Sequence, residues 1–212
     1  LPKPMADIAC RPFLFRLMDH LAGFGFYRFV LSAGYRADLI RQRVSELSDR
    51  LEIRLVAETN PLGTGGALRN ACGGLSEDTV LVLNGDSFCR MDYRKLLAFH
   101  IRRRASVTLA VVKAQSADRN DVGLLQRRRD GTIVQFDEKT RSKGRWINAG
   151  VYVFNTGIIR SFPRKTPLSL EKDVFPYLVG RGLFGYVAPG PLIDIGTPER
   201  YAGAYRVLPR LM

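Results

Sequence analysis

From residue 12 to residue 112 the chain alternates between two apolar patterns, and that alternation limits the fold more than any other feature. Residues 12–23 (PFLFRLMDHLAG) carry apolar side chains at helical spacing and stop at a glycine. Arg28–Ala33 (RFVLSA) reads as a short buried strand. Residues 36–47 are helical again, with Leu39, Ile40, Val44 and Leu47 on one face. Glu52–Ala57 (EIRLVA) is the next strand, and a glycine-rich turn at 63–66 opens a short helix to about residue 71. Thr79–Leu83 (TVLVL) is a strand apolar on both faces; residues 92–104 read as a helix and 105–112 as a strand. Apolar strands with helices between them predict a mainly parallel sheet covered on both sides. Right-handed crossovers make that a Rossmann-like three-layer α/β/α sandwich.

After residue 112 the style changes. Strands at 123–127 and 132–136 straddle an Asp130-Gly131 turn, which predicts a hairpin. Residues 146–154 form a strand, and 170–179 look helical although Pro176 interrupts them. Short strands follow at 185–188 and 192–195, then a helix start at Thr197-Pro198-Glu199: a capping threonine, a proline at the first position, an acid in the first turn. No linker or repeat divides the 212 residues. The expectation is one domain, with a nucleotide-type half at 1–112 and a mixed half at 113–212.

The formal charge is +13, so an acidic partner is expected: nucleic acid, an anionic surface or a phosphorylated small molecule. Arg102–Arg103–Arg104 and Arg127–Arg128–Arg129 are the tight runs and read as solvated basic surface. No zinc-finger spacing, RNP-type aromatic signature or basic zipper supports nucleic-acid binding. Cys10, Cys72 and Cys89 are odd in number and widely spaced, which reads as reduced thiols and a cytoplasmic location. No apolar run approaches the length of a membrane span, so no membrane insertion is expected.

Four stretches fall at or near strand ends, where open α/β sheets bind ligands. The first runs from Glu58 through Pro61-Leu62-Gly63-Thr64-Gly65-Gly66. Its glycines admit close backbone approach, and its helix start offers N–H groups to an anion or a base carbonyl; alone, such a turn is also a packing device. The second is Asn84-Gly85-Asp86, where a strand-end aspartate suits Mg²⁺ or a turn. The third is Phe136-Asp137-Glu138-Lys139 with Asn148 beyond it: a lysine for phosphate, Glu and Asn for sugar hydroxyls, or a plain strand end. The fourth is Asp194 in IDIGTPE, a second metal ligand or a helix organiser. Two strand-end aspartates, lysines and no His or Cys set make a Mg²⁺-assisted phosphoryl or nucleotidyl transfer site plausible chemistry.

The ordered set LPKPM, PLGTGGAL, LNGD, FDEK, INAGVYVF, SLEKDVFP and IDIGTPERY resembles the sugar-phosphate nucleotidyltransferase family, in particular its branch of guanylyltransferases acting on heptose and mannose 1-phosphates. The likeness runs from residue 1 to about 205. It implies the fold of nucleotide-diphospho-sugar transferases. It also implies a reaction of an NTP, GTP favoured, with a sugar 1-phosphate, D-glycero-D-manno-heptose 1-phosphate favoured. The products are an NDP-sugar for surface-polysaccharide or glycan precursor synthesis and pyrophosphate. Matched position by position, Asp86 and Asp194 would hold Mg²⁺ and Lys3 would contact phosphate. Glu58, Gly63, Thr64 and Gly85 would face the nucleotide. Gly123, Glu138, Lys139, Asn148 and Glu171 would line the sugar-phosphate side. A homo-oligomer is compatible with the family.

The resemblance also marks a departure. Family members open with a strand and a GGxGTR-type phosphate loop before the PKP lysine, and these 212 residues start at the tail of that signature. The expectation is an incomplete chain, the alternative being a sugar-nucleotide-binding module without activity. In either case the absent strand would lie inside the sheet and leave two strand edges open.

Overall fold

The computed structural model describes residues 1–47, 49–114, 124–137 and 145–212. A 3₁₀ turn at Lys3–Met5 leads into a small hairpin of β1 (Asp7–Ile8) and β2 (Arg11–Pro12). Its turn residues Ala9 and Cys10 both have positive φ, 48° and 62°. Neither residue favours that region, so residue type alone does not announce a hairpin. The Arg16 guanidinium holds it from the next helix, donating to Ile8 O at 2.6 Å and Ala9 O at 2.9 Å.

The alternation then appears as expected. In order come α1 (Phe13–Ala22), β3 (Arg28–Ala33), α2 (Ala37–Val44), β4 (Glu52–Ala57), α3 (Gly63–Ala71), β5 (Thr79–Leu83), β6 (Ser87–Cys89), α4 (Tyr93–Arg103) and β7 (Val107–Lys113). The second half adds β8 (Leu124–Arg127), β9 (Ile133–Asp137), β10 (Trp146–Asn155), α5 (Thr156–Arg160), α6 (Phe175–Leu178), β11 (Leu183–Val187), β12 (Leu192–Asp194) and α7 (Pro198–Val207). The stretch with Pro176 is one π turn, Leu170–Val174, running into α6; the proline sits in the first turn of that short helix, where its missing N–H costs no bond.

The sheet is mixed. β11 and β7 are parallel, as are β3 and β4. The long β10 runs antiparallel to both β7 and β5, which are therefore parallel to each other. Side chains alternate across the sheet and build the three layers. Val107, Leu109 and Val111 of β7 join Tyr152 and Phe154 of β10 on one face, packed by Leu68 of α3, Ile159 of α5 and Phe175 of α6. Ala110, Val151 and Val153 point to the other face, against Phe13 and Leu17 of α1, Leu96 of α4 and Ala204 of α7. Helix α1 is buried on a second side too. Leu14, Phe15 and Met18 pack with Ile40, Val44 and Leu51 beneath β3 and β4. Each such leucine or phenylalanine contributes about 1.5–3 kcal/mol.

Between β3 and β5 the sheet is open. Among the described residues β3 pairs with β4 alone and β5 with β10 alone. A slot of about 960 Å³ separates their free edges, lined by Phe29, Val30 and Leu31 on one side and Val80, Leu81 and Val82 on the other. Helix α1 closes it above and α3 below. Every residue of β5 is half-buried, although the run TVLVL is apolar enough for a fully covered strand.

Candidate functional site

The polar end of the slot is formed by Thr64, Asn84, Gly85, Tyr152 and Leu170. The turn after β5 is pinned from β10: Asn84 N–H donates to Gly150 O at 2.8 Å. The register of β10 against β7 shifts between Asn148 and Tyr152, and Gly150 within that bulge has φ of 69°. A Cβ there would stand 2.8 Å from the Asn84 amide nitrogen and 2.9 Å from the Ser87 hydroxyl, so only glycine fits.

The same turn meets the strand that carries Asp194. β6 pairs with β12, placing Asp194 opposite Ser87, and Ile195 N–H donates to Asp86 O at 3.0 Å. Asp194 Oδ1 accepts the Gly196 N–H at 2.9 Å and lies 3.4 Å from Arg200 Nη1. The Thr197 hydroxyl caps α7 through Arg200 N–H at 3.3 Å. Asp194 thus organises the helix start with one oxygen and keeps the other. Pro4 packs on Gly85, so the exposed Lys3 stands beside the Asp86 turn. Among the described residues no group of three or more His, Cys, Asp or Glu side chains converges. Asp86 and Asp194, carried by neighbouring backbone segments, are each a hard oxygen donor. Mg²⁺ fits such donors, because it binds through one or two carboxylates and completes its shell with water and substrate phosphate.

The glycine-rich turn makes packing contacts, one of the two readings its sequence allowed. Gly65 N–H and Gly66 N–H donate to Leu168 O at 2.8 and 3.3 Å, and Leu168 N–H donates to Leu62 O at 2.8 Å. A Cβ on Gly63, whose φ is 74°, would lie 2.5 Å from Leu168 O. The glycines therefore seat the 168–170 segment, and the N–H groups expected to meet a ligand are bonded to protein. Thr64, expected beside the nucleotide, engages Glu171 and Leu170 through its hydroxyl. It donates to Glu171 Oε2 at 2.9 Å and accepts the Leu170 N–H at 2.8 Å. The Ser169 hydroxyl donates to the same oxygen at 3.1 Å. Glu58 caps its own loop: Oε2 accepts the Leu62 N–H at 3.2 Å and Oε1 the Ser32 hydroxyl at 3.1 Å.

On the sugar side Asn148 Nδ2 donates to Tyr152 Oη at 2.9 Å, while its Oδ1 accepts the Gly150 N–H at 3.1 Å. The amide is thus fixed with one N–H left over. Tyr152 is fully buried; burial first, then the nearby Glu171 charge, pushes its phenol well above the usual range, and Asp86 adds to this. Sequence reasoning missed Tyr152, because in INAGVYVF it reads as one more apolar strand residue. Its phenol sits within electrostatic reach of both Glu171 and Asp86. Gly123, Glu138 and Lys139 lie outside the described residues. Burial pushes the Cys72 thiol up to about 11 and the Cys89 thiol up to about 12.

Comparison with known proteins bears on this arrangement directly. The nucleotidyl transferase family model matches residues 1–208. A mannose-1-phosphate guanylyltransferase of Mycobacterium tuberculosis is 37% identical over 205 residues, 94% of this chain and 56% of that protein. A D-glycero-alpha-D-manno-heptose 1-phosphate guanylyltransferase of Aneurinibacillus thermoaerophilus is 32% identical, over 98% of this chain and 90% of its own length. The chain thus spans little more than half of the first relative and most of the second. HddC from Yersinia pseudotuberculosis superposes with a TM-score of 0.86 at 32% identity, covering 98% of this chain and 90% of that one; a second structure of it is a complex with GMP-PN. With the family model matched over almost the whole chain and a relative 32% identical along 90% of its own length, the chain belongs to the nucleotidyl transferase family.

Proposed function

We propose that the protein joins GTP and a sugar 1-phosphate into a GDP-sugar with release of pyrophosphate, heptose 1-phosphate being the favoured sugar. The single observation that carries this is the β6–β12 pairing, which sets the Asp194 strand end against the Asp86 turn, with Asp86 and Glu171 both in electrostatic reach of the Tyr152 phenol that Asn148 bonds. A bound Mg²⁺ would supply charge neutralisation along the phosphates, with Asp86 and Asp194 as its protein ligands. The chain's own groups do the rest. The Glu171 carboxylate accepts sugar hydroxyls through Oε1, since Thr64 and Ser169 engage Oε2. Asn148 donates its remaining N–H to the sugar. The exposed Lys3 meets a phosphate as a point charge.

In the reaction a phosphate oxygen of the sugar 1-phosphate forms a bond to the α-phosphorus of the NTP. The bond from that phosphorus to the bridging oxygen breaks, and its electron pair leaves with pyrophosphate. The attacking oxygen is already anionic, so no base is required of the protein. Positioning and electrostatics supply the rate. Guanine is favoured by the names of the relatives and by Glu58, whose oxygens each keep a lone pair that can accept from guanine N1–H and the 2-amino group.

A pyrophosphate-release assay of the full-length protein, pairing the four NTPs with heptose and mannose 1-phosphates, tests the reading. Metal-dependent release with GTP and one of the sugars is expected. Calorimetric binding of a GDP-sugar without turnover for any pair would replace it with a binding module.

A further inference from the structure

The two arginine runs meet in the fold. Arg102 and Arg103 end α4 and lie over the Phe99 ring, their Cζ atoms 5.7 and 5.6 Å from its centroid. The turn after β8 reaches the same ring: a Cβ on Gly131 would lie 2.9 Å from Phe99 Cζ and 3.5 Å from Arg127 Nη2. Gly185 N–H donates to Gly131 O at 2.8 Å and fixes that turn to β11. Arg127 packs over Trp146 at 5.4 Å and donates Nε–H to Gly185 O at 3.1 Å. Arg102, Arg103, Arg104, Arg128 and Arg129 are all exposed, and among the described residues none has a carboxylate oxygen within 4.0 Å. Asp130 is the acid in their midst. Its carboxylate is held low first by the Thr132 N–H it accepts and by the Thr132 hydroxyl, then by Arg103 and Arg128.

Cations held together with a single acid, Asp130, among them repel one another, and stacking on Phe99 limits their freedom to spread. Ile101, 62% exposed, projects among them, and Arg94, Lys95 and Ala98 are exposed along the same helix. Neither the slot nor a smaller cavity of about 320 Å³ beside β4 reaches this face, so these cavities supply no pocket for a small anion here. Nucleic-acid bases would need bare rings to stack on, and Phe99 and Trp146 already carry guanidinium groups. A fanned cationic face with one projecting apolar side chain fits an extended anionic surface. The face lies where β7 and β11 begin, whereas Asp86 lies past the end of β5, which runs parallel to β7. The two are at opposite ends of the sheet.

We propose that this arginine face docks the protein on an anionic lipid surface and leaves the candidate site turned toward solvent. Co-sedimentation with vesicles of phosphatidylglycerol and phosphatidylcholine tests it. The variant Arg102→Gln/Arg103→Gln/Arg128→Gln is compared with Arg41→Gln/Arg206→Gln/Arg210→Gln, which removes the same charge elsewhere. The first should lose about a hundredfold in partitioning and the second less than about threefold. Arg128→Gln/Arg129→Gln, a change confined to the turn, should lose about tenfold with the helices untouched. Ile101→Ser should weaken binding a few-fold, and raised salt should abolish it. Equal loss in both triple variants, equal binding to neutral vesicles, displacement by micromolar tripolyphosphate, or tighter binding to duplex DNA than to vesicles would each overturn the proposal.

Discussion

Thr64 shows how one hydroxyl can link two distant parts of the chain. It accepts from the N–H of the buried Leu170 and donates to Glu171, so α3 and the sugar-side segment share it. Thr64→Val removes both bonds and frees the carboxylate to turn. The KM for sugar 1-phosphate should rise about tenfold with the KM for NTP unchanged, and Thr64→Ser should restore it. A larger effect on NTP would return Thr64 to the nucleotide side. Tyr152→Phe keeps the ring and removes the acceptor for Asn148 Nδ2. Steady-state kinetics should show a several-fold loss of sugar-phosphate affinity with little change in melting temperature. Asp86, Asp194 and Asn148 stand out in the sequence because carboxylates and amides at or near strand ends advertise polar chemistry, whereas Glu171 enters only through the family resemblance. Tyr152 does not stand out, because a phenol on an apolar strand looks like core. The partner of Thr64 does not, because a hydroxyl's direction depends on a segment more than a hundred residues away.

At the scale of elements, the glycine turn before α3 illustrates a local pattern whose meaning is set by tertiary contact. Its N–H groups bond Leu168, and Gly63 lies against that carbonyl. Gly63→Ala should destabilise by more than about 2 kcal/mol, since a positive φ and a backbone clash coincide. Gly74→Ala, with φ of 80° and nothing within 4 Å of a Cβ, should cost about 1 kcal/mol. Urea unfolding of the two variants measures the difference; equal costs would show that Leu168 yields. The strands and helices of residues 12–112 follow their apolar periodicity closely, because each buries a face against the sheet. The β1–β2 hairpin and β6 escape that reading. The hairpin is held by Arg16 rather than by turn residues, and β6 is only three residues long and needs β12 to exist.

For the whole molecule, the sheet's direction and its open slot depend on contacts that periodicity does not encode. β10 reads as one apolar strand among others, yet its antiparallel insertion between β5 and β7 positions Gly150 over the Asp86 turn. Two histidines set an acid limit on this assembly. Burial lowers both His20 and His100, the latter paired through Nδ1 with the Thr108 hydroxyl at 2.9 Å. The folded form prefers both rings neutral. Their contribution is full above the unfolded value of about 6.5 and is lost as pH falls below it. The urea midpoint should therefore drop between about pH 7 and pH 5, and His100→Gln should flatten that slope. Carboxylates held low, such as Asp173 by Lys165, act only below about pH 4 and do not blur the window.

The central claim is that Asp86 and Asp194, set on neighbouring segments by the β6–β12 pair, form a nucleotidyl transfer site. The most direct test incubates full-length protein with GTP, Mg²⁺ and heptose 1-phosphate and quantifies GDP-heptose by mass spectrometry, for the wild type and for Asp86→Ala and Asp194→Ala. The account predicts one GDP-sugar per pyrophosphate released, and yields lower by about a thousandfold in each variant. Near-normal product from either variant would contradict it.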